Sequence, residues 1–176
     1  MTGRINVSDL AKPFSLGADE GKILFVLGDI VIIKLSGAQT GGVYSVIEAI
    51  NVPGGGAAFL HTHISQETFW VLEGDYEIYG QDEDGNKTAI PASAGAMVHV
   101  AGNVPHGYRN VGKTTGKVLS IGAPASNMID FFNDIGIVME SASDPLPFDK
   151  MPSGERIAEA LEKHKIVMLE DPGAVA

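Results

Sequence analysis

An all-β sandwich or barrel, followed by short helices, is the fold class that this sequence predicts. Three observations carry the prediction. Apolar runs of strand length recur between Lys22 and Gly122. Glycine, of which the chain has 22, or a polar turn cluster separates them. The period then changes, and Met128, Phe131, Phe132 and Ile135 keep the i, i+3, i+4, i+7 spacing of a helix face.

The elements follow in order. Ile23 to Leu27, the pair Gly28-Asp29, and Ile30 to Ile33 read as a hairpin. A strand over Val43 to Ile50 comes next, then the triplet Gly54-Gly55-Gly56. Between His61 and Glu73 the neighbours Thr62, Ile64, Thr68, Phe69, Trp70 and Val71 are β-branched or aromatic, and the glycine triplet breaks any helix entering the segment. This stretch is two strands with a tight bend near Ile64-Ser65-Gln66. Tyr76 to Tyr79 is a strand. Asp82-Glu83-Asp84-Gly85-Asn86 is a turn signal. Further strands fit Lys87 to Ile90, Ala96 to Val100, Gly107 to Asn110 and Lys117 to Gly122. Asn127 is placed to cap the helix that follows and Gly136 to end it. Pro145, Pro147 and Pro152 mark a loop, and Ser153 caps a last helix carrying Ile157, Ala160 and Leu161, with Glu155 in its first turn. At 176 residues the chain is expected to form one barrel unit over residues 1–125, including the amino-terminal strands. A helical extension over 126–176 packs on it.

Composition excludes several kinds of function. There is no cysteine, so disulfides, thiolate metal sites and cysteine nucleophiles are ruled out. The net charge of −10, with no basic cluster, repels phosphate backbones and anionic lipid, so neither nucleic acid nor membrane is expected as a partner. The opening residues MTGRINVSDLAKPF hold no apolar run of signal-peptide length, and the expected location is cytoplasmic.

The chemistry concentrates in four residues. His61, His63 and Glu67 are all odd-numbered, so an extended backbone aims them to one side, and His106 follows about forty residues later. Imidazoles and a carboxylate are ligands for a divalent first-row ion: Fe, Mn, Co, Ni or Zn. Burying them together without an ion carries a heavy desolvation cost. Four protein donors leave one or two open positions on a five- or six-coordinate metal, which is the mark of a catalytic site.

The spacing resembles the two signature motifs of the cupin superfamily. The first matches at Gly55, His61, His63, Glu67 and Gly74, and the second at Gly95, His106 and Asn110. The chain departs at Ala101, where the family usually has proline, and at Asn103, where it usually has glycine. The resemblance implies a double-stranded β-helix, a small jelly-roll barrel with the metal inside, and His61, His63, Glu67 and His106 as its ligands. More loosely the chain is similar to single-domain cupins of the quercetin 2,3-dioxygenase-like kind, through the aromatic strand after Glu67 and the Phe131-Phe132 helix. That likeness implies a dioxygenase acting with O2 on an enol, catechol or flavonol-like small molecule, with Glu67 taking the substrate's proton. A non-redox isomerase or lyase using the same ion, and a metal-bearing barrel that only binds a small molecule, are the alternatives.

Phe59, Phe69 and Val71 share the odd face and are expected to line the substrate pocket. The even face carries Leu60, Ile64, Trp70 and Leu72, too apolar for solvent, so the amino-terminal strands or a second subunit must cover it; a homodimer is expected. His99 is assigned to the outer surface and His164 to the last turn of a helix.

Overall fold

The computed structural model describes residues 13–18, 20–125 and 127–169. Strands β1 (Lys22–Val26) and β2 (Asp29–Leu35) form the expected hairpin, and the one-turn helix α1 (Gly37–Thr40) leads into β3 (Ser45–Asn51). The bend after β4 (His61–Thr62) separates it from β5 (Gln66–Glu73). Then come β6 (Asp75–Gln81), β7 (Lys87–Ser93), β8 (Met97–Val100), β9 (Gly107–Asn110) and β10 (Gly116–Ala123). The helix α2 (Asn127–Ile135), strand β11 (Ile137–Val138), a 3₁₀ turn at Phe148–Lys150, the helix α3 (Gly154–Lys163) and strand β12 (Val167–Met168) complete the chain. All pairings are antiparallel. One sheet runs β11-β1-β2-β3-β10-β5-β8, a second runs β7-β6-β9, and β12 pairs with β4. The fold is a double-stranded β-helix with a few short helices.

Burial follows the pleat. Ser45, Ile47, Ala49 and Asn51 of β3 and Gly116, Val118, Ser120 and Gly122 of β10 are buried, and the residues between them are half-exposed. The barrel core gathers Ala49, Phe69, Val71, Tyr76, Ile78, Ala92 and Val118. The near-continuous apolar runs of β1 and β2 have a different cause: both of their faces are covered. Leu24, Val26, Val31 and Ile33 pack against Ile129, Phe131 and Ile135 of α2 and Ala160 of α3. Ile23, Phe25, Ile30 and Ile32 pack with Met139 and Leu146 on the other side, where the Phe148 ring meets Phe25 edge-on at 5.1 Å. The carboxy-terminal segment therefore docks on the barrel, and it also contributes two strands, β11 and β12. Two-residue strands carry no period, so nothing in the sequence marks them.

Two end-of-helix expectations are met. Ser153 does cap α3, its hydroxyl accepting the Arg156 N–H at 3.3 Å. Gly136 ends α2 through close approach, because a Cβ there would lie 2.5 Å from the Phe132 carbonyl oxygen and 3.2 Å from Leu24 Cβ. The Asn127 cap concerns a side chain outside those described. On the outer face of β5, Trp70 is 47% exposed, Ile64 60% and neighbouring Met97 67%. The amino-terminal strands do not cover this face, because β1 and β2 extend the same sheet edgeways. Leu60 alone of the even set is buried, its carbonyl accepting the N–H of Leu169 beyond β12. Among the described residues no helix is long and apolar enough to cross a membrane.

Candidate metal centre

Backbone pairing brings the histidines together. His61 and His106 face each other as an isolated antiparallel bridge, exchanging N–H···O bonds of 2.9 and 3.0 Å. His63 lies just past β4, where its carbonyl accepts the Asn103 N–H at 2.8 Å. Asn103 sits at φ 61°, the left-handed conformation that glycine would otherwise supply and that asparagine tolerates best of the side-chain-bearing residues. The departure from the family pattern thus preserves the turn that delivers His106. At the other end of the motif, Gly55 is needed for space, since a Cβ there would lie 2.5 Å from Asp29 Oδ1.

The three imidazoles place their donor atoms within 4.8 Å of one another, all buried. His61 Nδ1 lies 3.1 Å from the Phe59 carbonyl oxygen, and His106 Nδ1 lies 2.8 Å from that of Val104. A carbonyl only accepts, so both Nδ1 atoms carry a proton and both Nε2 atoms are left to face the interior. Neither ring nitrogen of His63 has a hydrogen-bond partner. Its Nε2 comes within 3.3 Å of Glu67 Oε2, at an angle that makes no hydrogen bond. A buried imidazole with both nitrogens unpartnered costs stability unless something ligates it. The donor set therefore fits a divalent ion.

Glu67, from β5, stands beside the trio. Its Oε2 is 3.1 Å from His106 Nε2, and its Oε1 accepts the Ser120 hydroxyl at 2.5 Å. Burial alone would raise its pKa, but the His106 hydrogen bond and the close approach of His63 hold it well below the usual carboxylate range. Burial, then the charge of His106, pushes His61 down to about 4. Burial opposes charge on His106 too, yet its contact with Glu67 leaves it raised.

The expected pocket residues are distributed differently from the donors. Phe69 and Val71 are fully buried in the barrel core, with the Phe69 ring 6.2 Å from that of His106, and Phe59 is half-buried and offers its carbonyl to His61. The space beside the donors, too narrow to admit a water molecule, is lined by Ser45, Ile47, His63, Ser65, Glu67, Ser120, Gly122 and Met128. Sequence reasoning did not single out the serines. Their signal was the inward parity of β3 and β10, which becomes readable only once the register is known. His99 is on the surface, its Nδ1 2.9 Å from Thr68 Oγ1. His164 caps α3 against Asp134 at 2.6 Å. Asn110 ties backbone, its amide donating to the carbonyls of Asn51 and Thr114.

An antiparallel barrel with three converging histidines and an ionised carboxylate at one interior end defines a class, the metal-site β-barrels. Residues 49–122 match the Cupin_2 family model, described as "Cupin domain". No curated protein sequence matches it. Among solved structures it is similar to an oxalate oxidase, at 20% identity and TM-score 0.55, over 69% of this chain and 65% of that one. A recombinant oxalate oxidase in complex with glycolate gives 19% and 0.54 over the same shares. A single-residue variant of oxalate decarboxylase from Bacillus subtilis gives 15% and 0.53, over 64% of this chain and 29% of that one. The chain thus spans just under two thirds of the oxidases and under a third of the decarboxylase. Likeness at this identity speaks to the fold.

Proposed function

We propose that His61, His63, His106 and Glu67 hold one divalent transition-metal ion and that the protein is an O2-dependent oxidoreductase of the dioxygenase type. Its substrate is an enol, catechol or flavonol-like small molecule. The observation that carries the metal reading is His63, buried at 1% exposure with both nitrogens unpartnered between two imidazoles whose Nε2 atoms are turned inward. The dioxygenase step is supported by the motif resemblance.

Bound among these donors, such an ion acidifies a hydroxyl placed in its open position. The chain's own residues do the rest. Glu67 is ionised and has a lone pair on Oε2 to accept the hydroxyl proton. Ser120 fixes Oε1 and so keeps the carboxylate from swinging away. The apolar floor of Phe69, Val71 and Val118 excludes water from below. We further propose a homodimer, supported by the exposed Trp70, Leu72 and Ile64 on a sheet face that no described residue covers.

The test is metal analysis of purified protein followed by oxygen uptake with a panel of catechols and enediols. Uptake that disappears in His61→Ala supports the reading. Turnover that proceeds equally well without oxygen overturns it in favour of an isomerase or lyase.

A further inference from the structure

The strand that carries His61 is only two residues long, and it is held from both sides. On one side the N–H and C=O of His61 are committed to His106. Along an antiparallel strand the backbone groups of successive residues turn to opposite sides. The groups flanking His61 therefore face away from His106, and β12 meets them there. Met168 lies opposite His61, Val167 opposite Thr62, and the Leu169 N–H donates to the Leu60 carbonyl at 2.8 Å. The next carbonyl back, that of Phe59, lies 3.1 Å from His61 Nδ1 and fixes the ring. The backbone that sets both the place and the tautomer of the His61 imidazole is thus closed along its second edge by residues 167–169.

The anchorage of β12 lies elsewhere. Lys165, at φ 54°, turns the chain out of α3. Ile166 is 6% exposed, shares a core cluster with Ile129, Phe131 and Ile135 of α2 and Ala160 of α3, and donates its N–H to the Leu161 carbonyl at 3.0 Å. Val167 and Leu169 are 54% and 48% exposed, so they bring backbone pairing to β4 rather than packing. A pairing this short is marginal by itself. It persists because the buried Ile166 delivers it to the edge of β4.

We infer that β12 is a positioning element of the metal centre: by closing the second edge of β4 through the Leu169–Leu60 bond, it fixes the His61 imidazole and so sets how firmly the centre holds its ion. This rests on the metal reading given above. With that edge unpaired, β4 is held from one side only, and the His61 ring gains freedom that ligation must then remove.

The test compares Leu169→Pro with Leu169→Ala. Both remove the same exposed side chain, and only proline removes the N–H. Val167→Pro, two residues along the same edge and also at an exposed position, is the second variant if Leu169→Pro does not fold, and the same outcomes decide. Metal-free proteins are read by amide hydrogen exchange over residues 60–63. Cobalt-loaded proteins are read by the visible spectrum of Co(II) and by its rate of release to a chelator. Leu169→Pro is expected to speed exchange over 60–63, to alter the cobalt spectrum, and to release cobalt about fivefold faster than wild type, with Leu169→Ala within about twofold of wild type. Unaccelerated exchange overturns the inference, because β4 then does not depend on β12. Accelerated exchange with a wild-type spectrum and release rate overturns it too, since β12 would then be packing alone. Equal release from Leu169→Ala and Leu169→Pro assigns the effect to the side chain and also overturns it. A wild type that takes up no cobalt is a distinct outcome: it overturns the metal reading, and the positioning role with it.

Discussion

Replacing His63 with leucine separates a ligand from a packing residue. In the metal-free protein both ring nitrogens are buried and unpartnered. An unsatisfied buried polar group costs about 1–3 kcal/mol, and an apolar swap of similar volume costs less than about 1.5 kcal/mol in strain. The metal-free variant should therefore gain about 1 kcal/mol, which for a chain of this length raises Tm by about 2–4 °C. Glu67 keeps Ser120 and His106 as partners, so no new charge is stranded. In excess metal the order reverses. A ligand at about 100 times its Kd stabilises the native state by about 2.7 kcal/mol, or about 5–11 °C here, and the variant forfeits most of that. Differential scanning fluorimetry in EDTA and in Mn(II), Ni(II) or Co(II) reads both arms. A variant that melts below wild type in EDTA, and shows the same metal-induced rise, would refute the assignment of His63 as a ligand.

Three other outcomes are expected. Metal affinity should fall on acidification: His106 is raised, so its proton competes with the ion at higher pH than an ordinary imidazole's would, whereas His61, at about 4, competes only in more acidic solution. Competition with a chelating dye should show affinity falling from about pH 6.5 to 5, and an affinity flat across that range would contradict the histidine site. Phe69→Ala should cost about 3–5 kcal/mol in urea denaturation, because the ring is 2% exposed in the barrel core; a loss under about 1 kcal/mol would place it at a yielding pocket wall instead. Trp70→Glu should convert a dimer to monomers in size-exclusion chromatography with light scattering, and an unchanged mass would remove this face from the interface.

Most of the barrel was legible because each strand is short, apolar and bounded by glycine or a turn cluster, and because the parity of His61, His63 and Glu67 survives the bend between β4 and β5. The histidine trio was legible for the same reason. Other features depend on tertiary facts that a linear pattern does not contain. The even-face argument treated Leu60 and Trp70 alike, yet β12 covers one and nothing described covers the other. The apolar wall proposed from Phe59, Phe69 and Val71 considered only the strand that carries the donors. The void is bounded instead by β3, β10 and the start of α2, whose adjacency to β5 is set by register. Small residues such as Ser45 and Gly122 give no hydropathy signal, and their meaning appears only when the three strands are laid side by side.

Laid side by side, those strands also divide the labour of the site. The outermost row is Ser45, Gly122 and Glu67; the next is Ile47, Ser120 and Phe69; the third is Ala49, Val118 and Val71. Polarity falls from row to row, so water is excluded from below. The protons that fix the His61 and His106 tautomers go to backbone carbonyls, which no side-chain substitution can remove. Variation at Ser45 and Gly122 leaves the histidine donors and those carbonyl contacts intact. Variation at Ser120 reaches the carboxylate directly and must change how the ion is held.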